Sequence, residues 1–183
     1  MKALVRSFAL IAFAAAPLAA QAKPAAKPAA PPAASAISTM RTVWQPTANY
    51  VLQAAQDMPE EKFSFKPTPT VRSFGEVVAH VAGSQYMFCA AALGDTARAE
   101  DEIEKGTHSK ADLVAAMKAS TAYCDKAYAI TDAAGRKPLT MFGQKHNRLW
   151  ALLANMSHNG ESYGNLITYL RINGMVPPSS KRQ

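Results

Sequence analysis

The sequence predicts an all-α domain, an up-down four-helix bundle with a long loop between helices 1 and 2. Three observations predict it. Apolar residues recur at helical spacing in four separate stretches, sharp start and stop signals bound most of those stretches, and strand-type alternation is nowhere sustained. Four helices of this length, joined by mostly modest loops, bury enough apolar surface to fold as one unit.

The first helix is expected from Thr39 to Asp57, with Met40, Val43, Trp44, Val51 and Leu52 on one stripe. Pro46 sits inside it and either bends the helix or marks a later start near Thr47. Residues 59–72 carry Pro59, Pro67 and Pro69 and read as an extended connection. Ser73-Phe74-Gly75-Glu76 is a capping box that opens the second helix, and Gly94 closes it after Leu93. Its inward stripe holds Val77, His80, Val81, Ser84 and Phe88. Residues 95–108 are polar, and their acidic run Glu100, Asp101, Glu102 and Glu104 reads as a solvated loop rather than a metal site. Ser109 caps a third helix that runs to about Ile130. Residues 132–143 form a loop or a strand-like excursion. The fourth helix spans Lys145 to Asn173, with Gly174 as its stop and Pro177-Pro178 beyond. Leu149, Leu152, Leu153, Met156, Leu166, Tyr169 and Leu170 give it a buried face.

Residues 1–22 read as a signal peptide: Lys2 and Arg6 precede an apolar stretch from Phe8 to Ala20, and Ala20-Gln21-Ala22 is a small-x-small cleavage signal. The apolar run is shorter than the roughly 20 residues a bilayer span needs. The expectation is a periplasmic or secreted protein, with no membrane attachment after cleavage. Residues 23–38, rich in Ala, Pro and Lys, form a linker, and residues 39–180 form the bundle.

The formal net charge is +7, but six of the 20 basic residues lie in the signal, linker and tail. Residues 40–178 carry a net of +1, which offers no clustered basic face for phosphates and excludes nucleic acid as the expected partner. Cys89 and Cys124 are an even pair in an exported chain. They either staple two neighbouring helices or remain two small buried residues that never meet.

Four histidines are present. His108 and His146 read as surface residues, without a ligand partner at useful spacing. His80 and His158 lie mid-helix, on or beside apolar stripes. Two runs give them context: SFGEVVAHVAGSQYMF around His80, and HNGESYGNLITYLRINGMVPP from His158 to Pro178. Together they resemble the DinB-like family of four-helix bundles, over residues from about Thr39 to Ser180. KFSFKPTPTVRSFG before the second helix, and the closing YGN, YLR and VPPSS segments, resemble its exported branch.

The resemblance implies a divalent metal, zinc or nickel, held by three histidines: one from the second helix and an H-x-x-x-H pair from the fourth. Residues four apart on a helix project side by side, so both imidazoles of such a pair reach one ion. His80 maps to the second-helix ligand and His158 to the first of the pair. Ser162 stands where the third histidine belongs, and a neutral hydroxyl is a poor zinc ligand. Glu161, three residues from His158, is the candidate oxygen ligand or general base. It lies about 100° of helix rotation from position 162, so it has to reach around the helix. Tyr163, Asn165 and Arg171 are candidate pocket-lining residues; Arg171 also suits the negative end of the helix dipole. The resulting expectation is an exported bundle with a degenerate metal pocket that binds a small-molecule ligand. The alternative is a working metal-dependent thiol transferase or hydrolase. The sequence admits a homodimer.

Overall fold

A computed structural model describes residues 34–106 and 108–181. The signal peptide and most of the linker lie outside the described residues. Helix α1 (Ala36–Asp57) starts three residues earlier than expected, because Ser35 accepts from the Ser38 N–H and the Asp132 carboxylate accepts from the N–H groups of Ala36 and Ile37. It continues through Pro46. Helix α2 is Phe74–Leu93 and α3 is Lys110–Ala127, each opened by the capping box read from the sequence or its Asp equivalent. A single turn, α4 (Asp132–Gly135), leads to a two-stranded antiparallel hairpin, β1 (Pro138–Met141) and β2 (Gln144–Asn147). Its two-residue turn, Phe142-Gly143, has positive φ at both positions. The strand-like excursion is therefore real and reaches four residues further than expected. Helix α5 (Arg148–Ile172) starts only after it, and His146 lies in β2, stacked on Trp150, rather than at a helix start.

The helices form a bundle, but not by simple up-down alternation. Gly75 faces Leu113 near the starts of α2 and α3, and Cys89 bridges Cys124 near their far ends, so α2 and α3 run parallel. His80 meets His158 and Arg148 binds the Leu93 carbonyl, so α5 runs antiparallel to α2. Tyr50 stacks on Tyr163 and Arg41 pairs with Asp125, so α1 is parallel to α5 and antiparallel to α3. The order is up, down, down, up, with α1 and α2 on a diagonal. The expected strict alternation is corrected on this point, and the expected long loop between the first two helices is explained by the diagonal it crosses. A parallel α2–α3 pair also needs a return path of about 30 Å. Residues 94–109 supply it with ample reach, at about 3.3 Å per extended residue.

The core lies between the four long helices. Trp44 is fully buried and stacks on Tyr128 at 4.3 Å, whose hydroxyl donates to the Leu152 carbonyl at 2.8 Å. Val43 and Leu153, expected to face inward, are 53% and 49% exposed. Their neighbours Trp44 and Leu152, one step of about 100° further round, take the inward positions. The Cys89–Cys124 disulfide closes a separation of 35 residues. A closed loop of that size restricts the unfolded chain by about 4 kcal/mol. Among the described residues, no helix is long and apolar enough to cross a membrane.

The start of α2 gives a pH-dependent test. Glu76 accepts from the Ser73 N–H at 2.6 Å and pairs with Lys66, which holds its carboxyl below the ordinary value of 4.5, the Ser73 bond being the larger cause. A lowered carboxyl stabilises the fold above that ordinary value, and the contribution is lost as pH falls through the lowered one. Urea denaturation should show Ser73→Ala costing about 1 kcal/mol near neutral pH. Glu76→Gln should also be less stable there, with its deficit closing in acid; a deficit that stays constant with pH rules out the carboxylate's role.

Candidate metal centre

The second helix carries His80 on the side facing α5, and α5 carries His158 toward it. Both sit mid-helix, where the backbone is already fully hydrogen-bonded, so their rings are placed by packing. The two Nε2 atoms are 3.0 Å apart and the rings meet at an angle of 64°. The expected meeting of these two imidazoles is present. Burial, and then the adjacent His80 ring, push the His158 imidazole below its ordinary value, which favours the neutral form that metal ligation requires.

The third group comes from a segment that the sequence reading set aside. Glu100 Oε1 lies 3.8 Å from His80 Nε2 and accepts from Ser84 Oγ at 3.1 Å. One atom each from His80, Glu100 and His158 lie within 4.8 Å of one another. Glu104 faces the other side of the ring, with Oε2 at 3.5 Å from His80 Nδ1. The acidic run is thus divided. Asp101 and Glu102 pair with Lys105 and Arg98 at the surface, as a solvated loop predicts, while Glu100 and Glu104 turn in toward His80.

Gly83 explains how the loop comes so close. A Cβ at this position would lie 2.0 Å from the Glu100 carbonyl oxygen, so the return segment rests directly on the bare face of α2. Further holds act on either side of that contact: Tyr123 donates to Asp95 at 2.6 Å, Arg98 lies 3.7 Å over the Tyr86 ring, and Arg72 binds Glu104 through Nε at 2.7 Å.

A cavity of about 680 Å³ opens beside the histidines. His158, Glu161, Ser162, Asn165 and Tyr169 line it at i, i+3, i+4, i+7 and i+11, one face of α5. Ser162 is buried there, at the position of the missing histidine. Glu161 and Asn165 reach the same cavity, although Glu161 is not among the three clustered donors. Two expected lining residues are elsewhere. Tyr163 is turned about 100° from Ser162; it stacks on Tyr50 and bonds Ser179. Arg171, two residues past Tyr169, is exposed.

The arrangement fits a divalent cation on two counts. Two nitrogens on one tetrahedral zinc, each at about 2.0–2.1 Å, stand roughly 3.3 Å apart, so the present 3.0 Å needs to open only slightly. The charges agree as well. Lys66 pairs with Glu76 at 3.0 Å and Arg72 with Glu104 at 2.7 Å, which leaves the carboxylates of Glu100 and Glu161 without a Lys or Arg partner among the described residues.

The sequence profile of the DinB superfamily matches residues 43–164. The chain belongs to the DinB superfamily. Solved structures agree on the fold. A DinB-like protein from Bacillus cereus superposes with a TM-score of 0.66 at 15% identity, covering 76% of this chain and 93% of that one. A DinB-like protein from Bacillus subtilis gives 0.63 at 21% identity, covering 79% and 99%. A mycothiol-dependent maleylpyruvate isomerase gives 0.58 at 15% identity, covering 72% of this chain and 59% of that protein. No curated protein sequence matches the chain. Within this superfamily fold, the segment 94–109 brings Glu100 beside the two histidines.

Gly83→Ala tests the role of the return segment. The added methyl must displace the Glu100 backbone, at a cost of about 1–3 kcal/mol in thermal or urea unfolding. Gly160→Ala, where a Cβ meets open space, should be neutral or slightly stabilising. Equal effects at the two positions would mean that the segment does not rest on Gly83.

Proposed function

We propose that this DinB-superfamily protein is a periplasmic or secreted metal-binding bundle, in which His80, His158 and Glu100 hold one divalent ion beside a cavity for a small ligand. The observation that carries this reading is the convergence of three donors from α2, α5 and the return segment. The donor set is two imidazoles and a carboxylate, a combination used by catalytic zinc sites that keep one position open. Ser162, Asn165 and Tyr169 form the nearby wall, and Glu161 is an exposed carboxylate on the same face. A divalent ion here supplies a Lewis acid and lowers the proton affinity of a coordinated group.

The His–His–carboxylate set also favours a second reading, a metal-dependent transferase or hydrolase, for which the mycothiol-dependent isomerase among the structural neighbours is an analogy of fold. In that case Glu161 is placed to accept a proton from a ligand in the cavity. The disulfide between Cys89 and Cys124 supports the exported location, because such bridges persist in oxidising compartments.

Two measurements test these readings. Zinc or nickel titration of tag-free protein should give one ion per chain, abolished by His80→Ala or His158→Ala and weakened by Glu100→Gln. Ser162→His should tighten binding at least tenfold, about 1.4 kcal/mol. Failure of the unsubstituted protein to bind either ion refutes the metal centre. For location, mass spectrometry of a C-terminally tagged protein from an exporting host should show a chain beginning at Lys23 with both cysteines oxidised. An intact Met1 or free thiols argue against export.

A further inference from the structure

We infer that Glu104, held by Arg72, is the positioning residue of His80: its carboxylate accepts the Nδ1 proton of that ring and leaves the Nε2 lone pair facing His158 and Glu100. The metal half of this inference rests on the function proposed above; the proton's location on the ring does not.

The geometry leaves His80 Nδ1 with one evident partner. The atom is buried and makes no hydrogen bond at its present distance. Glu104 Oε2 faces it at 3.5 Å, and an approach of a few tenths of an ångström completes a normal bond. The His80 side chain is 13% exposed and that of Glu104 21%, so water competes weakly for the contact. With the proton on Nε2 instead, the Nδ1 lone pair would face Glu104 at 3.5 Å with no donor opposite it, whereas an Nε2 lone pair stands 3.8 Å from Glu100 and has the His158 ring nitrogen at 3.0 Å as a donor.

Glu104 is itself fixed. Arg72 donates to Oε1 from Nε at 2.7 Å and to Oε2 from Nη2 at 3.3 Å. The carbonyl of Arg72 in turn accepts the Tyr169 hydroxyl at 2.7 Å. The relay runs from α5 through the connection before α2 and the return segment after it, and ends on the ring of α2. Planar guanidinium–carboxylate pairing sets the plane of the carboxylate, and the carboxylate then sets the ring.

A second consequence concerns His158. If His80 Nε2 is an acceptor, the 3.0 Å contact between the rings requires His158 to donate from its own Nε2. Its buried Nδ1, which has no hydrogen-bond partner, is then a bare lone pair rather than a stranded N–H. Both rings are thereby assigned from one carboxylate.

Long-range proton–nitrogen NMR on the metal-free protein, at a pH where both rings are neutral, reads the tautomers directly. The expected result is Nδ1–H for His80 and Nε2–H for His158. Glu104→Leu should shift His80 toward Nε2–H, while Glu104→Gln, whose amide carbonyl still accepts, should retain Nδ1–H. Zinc affinity should fall about 10–100-fold in Glu104→Leu and less in Glu104→Gln. An Nε2–H His80 in the unsubstituted protein, or an unchanged tautomer in folded Glu104→Leu, overturns the inference. The expected tautomers in a protein that binds no zinc would uphold the positioning role and refute the metal centre.

Discussion

The parallel alignment of α2 and α3 is the constraint on which the rest of the molecule depends. Adjacent antiparallel helices need only a short turn between them, whereas parallel neighbours force the chain back along the full length of the bundle. Here the path lies over α2, and the missing side chain at Gly83 lets backbone touch backbone. Two carboxylates are delivered to His80 as a result, one on each side of its ring. The disulfide holds the same helix pair together near its far end. Topology, a glycine and a covalent link thus act on one region, and the site is a product of the connection as much as of the helices.

Much of the bundle was legible because its signals are local. The Ser73 and Ser109 boxes, Gly94 and Gly174 mark helix ends through interactions that span three or four residues, and the structure places the ends close to them. The start of α1 was misread because part of its cap comes from Asp132, almost a hundred residues away. The meeting of His80 and His158 was legible through the family resemblance and the helical spacing. Glu100 was not, since nothing in an acidic run says which member turns inward. Gly83 was a partial signal, three residues after His80 in α2, but a helical glycine by itself does not report a close approach: Gly160 and Gly164 in α5 face open space. The direction of α3 was also hidden, because a connection of that length serves either orientation.

The electrostatics of the cavity follow from pairing rather than from total charge. The bundle is nearly neutral, yet its cations at Lys66 and Arg72 are each engaged by a carboxylate. The wall therefore presents negative charge beside the two imidazoles. In the proposed donor set a carboxylate, Glu100, stands in for the third imidazole that the family resemblance implies at Ser162, which would add a formal negative charge. Such a set attracts a dication more strongly and leaves it a weaker electron acceptor than three imidazoles would.

The parallel run of α1 and α5 separates the two ends of the bundle. Ala36 lies beside Asp132, at the end where α5 begins, while Lys181 lies beside Asp57, at the end where α1 stops. The start of α1 and Lys181 therefore mark opposite ends of the bundle, and the cavity lined by His158, Ser162 and Tyr169 draws on the half of α5 away from Ala36.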